Sequence, residues 1–390
     1  MVAYTHYPQD PRVRREAESL VRAGIPVTVV CLRAQGEPAH QTVQGVNVDR
    51  VPLTAVRGGR ARYLFQYAAF ILLAAVAVQR VRRRARVTDV HVHSVPDFLV
   101  FVALPARALG LRVVLDLHEA MPELVAARFG LPLTSPIVAL ARVLETLSAM
   151  VAHDIITVNE RIRTVLTRRG IPPEKLTVIF NSPFLELVPS AGPKDRLVYS
   201  GGLNPERDIG VLIRAFAQVR PALGVPLVLY GRGDPRYLDE IHGLVNALGL
   251  REQVDLPGEV PHQRAIEEMA RSIVGIVPYE RNPLTEVAVP NKVFEFALVR
   301  CPLIIADLPA LREVFGDSAL YYRPGDSDDL AAKIRLASRD GPEGQARIER
   351  ASRVALALAW GIMEHRLLGL YGESHDTAAD RLSAEGETIV

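Results

Sequence analysis

Val289-Pro290-Asn291-Lys292-Val293-Phe294-Glu295-Phe296-Ala297-Leu298 lies between an apolar run at 273–278 and another at 302–306. It therefore reads as the helix of a strand–helix–strand unit. Proline is preorganised for the first helical position, where its missing N–H costs nothing, so the helix is expected to begin at Pro290. The free amides of that first turn favour a diphosphate. Asn291 and Glu295 are four apart and share a face, with the carboxylate about one turn, ~5.4 Å, from the helix mouth. A ribose diol beside a pyrophosphate needs such a spacing, so the stretch points to a nucleotide-sugar donor. The same residues also admit a plainer reading, with Lys292 and Glu295 as a solvated i,i+3 pair and Phe294 and Leu298 facing the core.

Working outward, the pattern repeats. Runs at 26–32, 89–93, 112–117 and 155–158 read as buried parallel strands with helices between them. A second series follows at 197–200, 226–230, 254–257, 273–278 and 302–306. Such alternation predicts an α/β protein made of doubly wound parallel sheets. Composition shifts at Asn181-Ser182-Pro183-Phe184 and through 189–195, which marks a linker. The expected domains are 1–185 and 194–355, with a helix at 356–373 returning to the first and a polar, aperiodic tail at 374–390 expected to be disordered.

The 390 residues, 49% hydrophobic, suffice for two ordinary cores. Two cysteines, Cys31 and Cys301, sit in apolar runs with no C-x-x-C or Cys/His cluster, which argues against a disulfide framework and a zinc site. No signal peptide is expected at the start of this sequence, where Met1 leads almost directly into a polar loop, and the first strand, Val2-Ala3-Tyr4, reads as short. The net charge of +2 is uneven: residues 1–150 hold 18 Arg against 11 acidic residues, and the remainder is net acidic. A basic first half suggests an anionic surface or acceptor, with Arg12, Arg14 and Arg15 on one helix and Arg80 to Arg86 on another. Nucleic acid is not expected, since no basic-aromatic interleaving or nucleic-acid motif accompanies the charge. The helix-like run 63–79 is too short and interrupted to span a bilayer, and burial inside an α/β domain is preferred over a membrane-surface role.

The Pro-Asn-Lys-x-Phe-Glu run resembles the donor-site signature of glycosyltransferase family 4. Two further stretches resemble that family in the right order: Tyr7-Pro8-Gln9-Asp10-Pro11-Arg12-Val13-Arg14-Arg15-Glu16-Ala17, followed by Ala23-Gly24, and Val114-Leu115-Asp116-Leu117-His118-Glu119 with Pro122-Glu123 after it. The resemblance implies the GT-B architecture, two Rossmann-like domains with an interdomain cleft at the carboxyl ends of their strands. The chain is then expected to be a retaining, metal-independent glycosyltransferase. It would move a sugar from a UDP- or GDP-type donor to a glycan, lipid-linked or small-molecule acceptor, without a further cofactor. Its expected location is the cytoplasm or the inner face of the membrane.

The resemblance also assigns residues. Arg207, in Tyr199-Ser200-Gly201-Gly202-Leu203-Asn204-Pro205-Glu206-Arg207, falls where the family places a cation against the donor diphosphate. The family usually has glycine where Asp208 follows, and often a second cation where Gly202 stands. Gly231 and Arg232 form a glycine-rich turn after the next strand, weak evidence on its own. Asn291, Lys292 and Glu295 complete the expected donor site. His118 corresponds to a histidine contacting the transferred sugar; a lone strand-end histidine is otherwise more often structural. Asp10, Arg12, His93 and Glu119 are expected on the acceptor side. His91 and His93 alternate about Val92 and face one way, with no third metal ligand evident. Asp326-Ser327-Asp328 reads as an N-cap, not a metal site. Val287 stands where many members carry a glutamate, and neighbouring Glu286 is the candidate substitute. Two rivals keep the same fold: a nucleotide-sugar epimerase, revealed by turnover without acceptor, and a non-catalytic subunit of a glycan-assembly complex, revealed by donor binding without transfer.

Overall fold

The computed structural model describes residues 1–54, 60–182, 193–339 and 341–372, without the side chains of 60–64. Most of the expected linker and the whole expected tail lie outside the described residues. The chain divides into two compact units: Met1–Phe180 with the chain from Gly361 onward, and Asn181–Trp360.

The first unit contains strands β1 (Val2–Ala3), β2 (Thr28–Leu32), β3 (His40–Val43), β4 (Val46–Val51), β5 (Asp89–His93), β6 (Arg112–Leu117), β7 (Asp154–Thr157) and β8 (Leu176–Val178). They form one sheet in the order β3-β4-β2-β1-β5-β6-β7-β8, parallel except for the β3–β4 hairpin. Its helices are α1 (Pro11–Arg22), α2 (Arg60–Arg84), α3 (Leu104–Arg107), α4 (Met121–Phe129), α5 (Pro136–Val151) and α6 (Glu160–Arg168). The order reverses between β1 and β5, so the loops leaving these two strands diverge and open a crevice at their carboxyl ends.

In the second unit, β9 (Arg196–Ser200), β10 (Leu227–Tyr230), β11 (Val254–Gly258), β12 (Ser272–Val277), β13 (Leu303–Ala306) and β14 (Leu320–Tyr322) form an all-parallel sheet in the order β11-β10-β9-β12-β13-β14. Around it stand α7 (Ile209–Leu223), α8 (Pro235–Ala247), α9 (His262–Ala270), α10 (Asn291–Leu298), α11 (Pro309–Phe315), α12 (Ser327–Ala337) and α13 (Pro342–Ala357). The reversal here lies between β9 and β12. The inner strands β10, β12 and β13 are runs rich in Val, Leu and Ile, as expected where helices cover both faces of a parallel sheet; Leu227, Leu229, Val277, Ile304 and Ile305 are fully buried.

Several expectations need adjusting. Pro290 is extended (φ −77°, ψ 142°) and caps α10, which starts at Asn291, one residue later than the proline rule predicts. The helix expected at 356–373 begins at residue 360, after α13 ends at Ala357. It buries Met363, Leu367 and Tyr371. Within the first unit Glu364 pairs with Arg22 at 2.6 Å, and Arg366 donates to the Val178 carbonyl. Asp326 caps α12 through the amides of Asp328 and Asp329, as its spacing predicts.

Candidate functional site

Two groups of charged residues stand at the two switch points. In the first unit, Asp116 on β6 is fully buried, and Arg12 grips it with two bonds, Nε to Oδ2 at 2.7 Å and Nη2 to Oδ1 at 2.6 Å. The same Oδ2 meets His93 Nδ1 at 3.0 Å and His118 Nε2 at 3.1 Å. Burial alone would raise the Asp116 pKa, but Arg12 and His118 outweigh it and hold the carboxylate well below its usual range. Glu16, one helical turn after Arg12, lies 3.2 Å from its guanidinium and 3.7 Å from His91 Nε2. Burial, then the Asp116 charge, pushes Glu16 up to about 8. His91 and His93 stack with ring centroids 4.4 Å apart, and His91 Nδ1 meets the Tyr371 hydroxyl at 2.8 Å.

This arrangement corrects three expectations. Arg12 and Arg15 are only 3% and 4% exposed, so the accessible arginines of α1 are Arg14 and Arg22; Arg12 holds Asp116 instead of meeting an acceptor. Asp10 caps α1 by accepting from the amides of Arg12 and Val13. His91 and His93 do have further potential ligands, since atoms of Glu16, His91, His93 and Asp116 lie within 4.8 Å of one another. The guanidinium of Arg12 against both carboxylates already supplies the charge a cation would bring. His93 is buried, whereas His118 and Glu119, just past the end of β6, are partly exposed. His118 is anchored by its amide to Ser94 Oγ (3.1 Å) and by Nε2 to Asp116. With Nε2–H committed to a carboxylate, Nδ1 is the nitrogen left for a ligand.

In the second unit the loop after β9 and the segment after β12 carry the opposite situation. Lys292, in the first turn of α10, extends its ammonium over the Tyr199 ring, 4.9 Å from the centroid. The residue is half-buried as a whole, but its charged end is enclosed: burial, then Arg207, lowers its pKa from 10.5 to about 7. Arg207 lies 4.5 Å over the Tyr279 ring, and its buried Nε and Nη1 have no hydrogen-bond partner. Among the described residues, no carboxylate forms an ion pair with either cation. The glycines explain the close packing. A Cβ on Gly201 (φ +144°) would sit 1.8 Å from Lys292 Nζ, and one on Gly231 (φ +148°) would sit 1.8 Å from the Gly201 carbonyl oxygen. Gly202 accepts from the Tyr199 hydroxyl at 2.8 Å. Asp208 adopts φ +47°, a left-handed position that glycine fills most easily and aspartate tolerates.

Glu295, 8% exposed, points its Oε1 to His262 Nε2 at 2.8 Å, and that bond raises the His262 pKa. His262, 33 positions away at the start of α9, carries no local sequence signal that would join it to Glu295. Asn291 opens α10 and is half-buried. Arg232 is 82% exposed and paired with Glu259, a solvated contact. Glu286 turns to Arg281 at 3.1 Å, and Val287 is buried. A cavity of about 450 Å³ in the first unit is lined by Met1, Thr28, Asn47 and Asp89, at the amino ends of the strands and so at the opposite edge from His118.

Comparison with known proteins gives a consistent set. Residues 9–182 match the model of the glycosyl transferase 4-like domain, and residues 194–340 match that of glycosyl transferases group 1. A chitobiosyldiphosphodolichol beta-mannosyltransferase of Candida albicans is 20% identical over 338 residues, 78% of this chain and 72% of the relative. Sucrose-phosphate synthase from Thermosynechococcus elongatus superposes with a TM-score of 0.77 at 18% identity, covering 96% of this chain and 95% of the other. Anabaena HepE in complex with UDP-glucose superposes with a TM-score of 0.68 at 15% identity, covering 95% and 99%.

Proposed function

Since the chain belongs to the family-4-type glycosyltransferases of the GT-B fold, we propose that it uses a nucleoside-diphosphate sugar held by the second unit. The observation that carries this reading is the pair of Arg207, whose buried Nε and Nη1 have no hydrogen-bond partner, and Lys292, whose ammonium is disfavoured by burial and by Arg207 more than the Glu295 charge favours it. A buried charge without a partner is costly, and an anion seated between them removes the cost. The diphosphate of a UDP or GDP sugar has the right charge, and the first-turn amides of α10 add donors. Glu295, whose Oε1 meets His262, accepts the ribose hydroxyls in this proposal. HepE, a neighbour in fold, was crystallised with UDP-glucose.

In the proposed reaction the bond from the anomeric carbon to the diphosphate oxygen breaks, and the acceptor oxygen bonds that carbon on the same face. The departing diphosphate takes the acceptor's proton, so configuration is retained and no separate enzymic base is needed. Lys292 and Arg207 stabilise the charge left on the diphosphate, the role a metal has elsewhere. His118, oriented by Asp116, offers Nδ1 to a hydroxyl of the transferred sugar. The acceptor is proposed to be a glycan, lipid-linked or small-molecule hydroxyl.

The test is nucleoside-diphosphate release from UDP- and GDP-sugars, with acceptor glycans and their lipid-linked forms present. Release by the wild type and a loss of ~10²-fold or more in His118→Ala, at unchanged nucleotide affinity, support the reading; the scale is that of one lost polar transition-state contact. Equal turnover in both makes His118 structural. The product's anomeric configuration decides the stereochemistry: inversion would overturn the retaining mechanism, a pertinent outcome given a relative named as a β-mannosyltransferase.

A further inference from the structure

Helix α2 is long and apolar enough by composition to cross a membrane, yet only 28% of its most apolar window is buried. It is not free to cross one, because Phe70, Ala74, Ala77 and Val78 pack inward and the helix lies on β2 and β4. Its outer side carries Phe65 (72% exposed), Leu72 (69%) and Val76, and runs on into exposed Arg80, Arg83, Arg84 and Arg86. A second helix repeats the pattern. Outward along α5 stand Ile137, Leu140, Val143, Leu147 and Met150, all 43% to 63% exposed and spaced three or four apart, over four turns. Both helices pack against the same 3-10 segment, Asp97–Ala103.

An apolar stripe of this length on a water-facing helix marks an interaction surface. The charges around it say what kind. Residues 51–88 contain eight arginines and no acidic residue. On α5 the one carboxylate, Glu145, is buried against Arg169 at 2.8 Å, while Arg142 and the neighbouring Arg128 carry the accessible charge. A second copy of this chain seated on the same face would bring arginine against arginine. An anionic bilayer brings the opposite charge and an apolar layer that accepts the stripes.

We propose that the outward faces of α2 and α5 form a docking surface for anionic membrane, with the leucine stripes entering the headgroup boundary and the arginines at the phosphates. The surface concerns where the enzyme works and does not rest on the donor assignment. Vesicle binding and nucleotide binding are read separately, so either fails alone.

The experiment is flotation of the full chain with vesicles of phosphatidylcholine alone or mixed with phosphatidylglycerol, at low and high salt. The wild type floats with the anionic vesicles, and salt releases part of it, the Debye length shrinking to ≈ 3 Å at 1 M. Leu140→Gln with Leu147→Gln lowers vesicle affinity at least ~10-fold, the scale for losing one buried leucine. Arg83→Glu with Arg84→Glu lowers it by about fivefold or more per residue. Phe65→Gln with Leu72→Gln is the check should the α5 pair fail to fold. The proposal is overturned if the wild type does not float, if it floats equally after all three pairs of changes, or if it is a dimer without lipid affinity that the α5 pair makes monomeric.

Discussion

The two charged groups at the two switch points differ in one respect, and the difference separates structure from ligand chemistry. In the first unit the Asp116 carboxylate is matched inside the protein: Arg12 with two bonds, His93 and His118 on the same oxygen. Around Lys292 the cations lie over aromatic rings, and among the described residues no carboxylate forms an ion pair with them, Glu295 acting on Lys292 only at longer range. A closed network fixes positions, here the orientation of His118. An open one stores a cost that a bound anion relieves, which lowers the energy of the bound state relative to the free one.

The comparison breaks most visibly if the closed network proves dispensable. Asp116→Ala leaves the Arg12 guanidinium buried without its bidentate partner, and is expected to cost about 3–5 kcal/mol, measured by chemical denaturation. A loss under 1 kcal/mol, less than one such hydrogen bond to a charge, would show that Glu16 alone satisfies Arg12. In the second unit Glu295→Ala leaves stability nearly unchanged and weakens nucleoside-diphosphate binding by about 1.5–3 kcal/mol for each charge-assisted bond lost. Unchanged UDP and GDP affinity would remove Glu295 from the donor site.

Smaller effects sharpen the same contrast. A lysine held near 7 is mostly neutral at pH 8, and a diphosphate beside it raises its pKa, so nucleotide binding at pH 8 takes up protons. Calorimetry in buffers of different ionisation enthalpy reads that uptake, and Lys292→Met abolishes it; identical heats in all buffers contradict the assignment. The smallest expected effect is that of EDTA, since Lys292 and Arg207 are proposed to take the part of a metal. Loss of transfer restored by Mg²⁺ or Mn²⁺ would show that they do not.

Much of this was legible in the sequence where the signal is local. The β12 and β13 runs and the cap at Asp326 depend on neighbours in the chain, and they stand within a residue or two of the expected places. The β3–β4 hairpin, absent from the expected strands, also has a local signal: Gln44-Gly45, at φ 50° and 79°, separates two short strands. Long-range pairing was hidden. Nothing in a count of arginines tells that Arg12 is buried against a carboxylate 104 positions away, or that His262 meets Glu295. Likewise the composition of α2 does not reveal that Phe65 and Leu72 face outward; only the sheet beneath the helix decides which side is covered.

The central claim is that Lys292 and Arg207 await a diphosphate, and titration of Lys292→Met and wild type with UDP and GDP tests it most directly. The substitution should weaken binding ~10-fold or more, the scale of one charge-assisted hydrogen bond, while the unliganded protein is at least as stable as wild type. The sign follows from the lowered pKa. Folding disfavours the charged lysine, so the stabilisation by methionine is fully present below pH 7 and fades as pH rises towards 10.5. Equal nucleotide affinity in the two proteins, or a Lys292→Met chain that is markedly less stable than wild type at pH 7 without ligand, would contradict it.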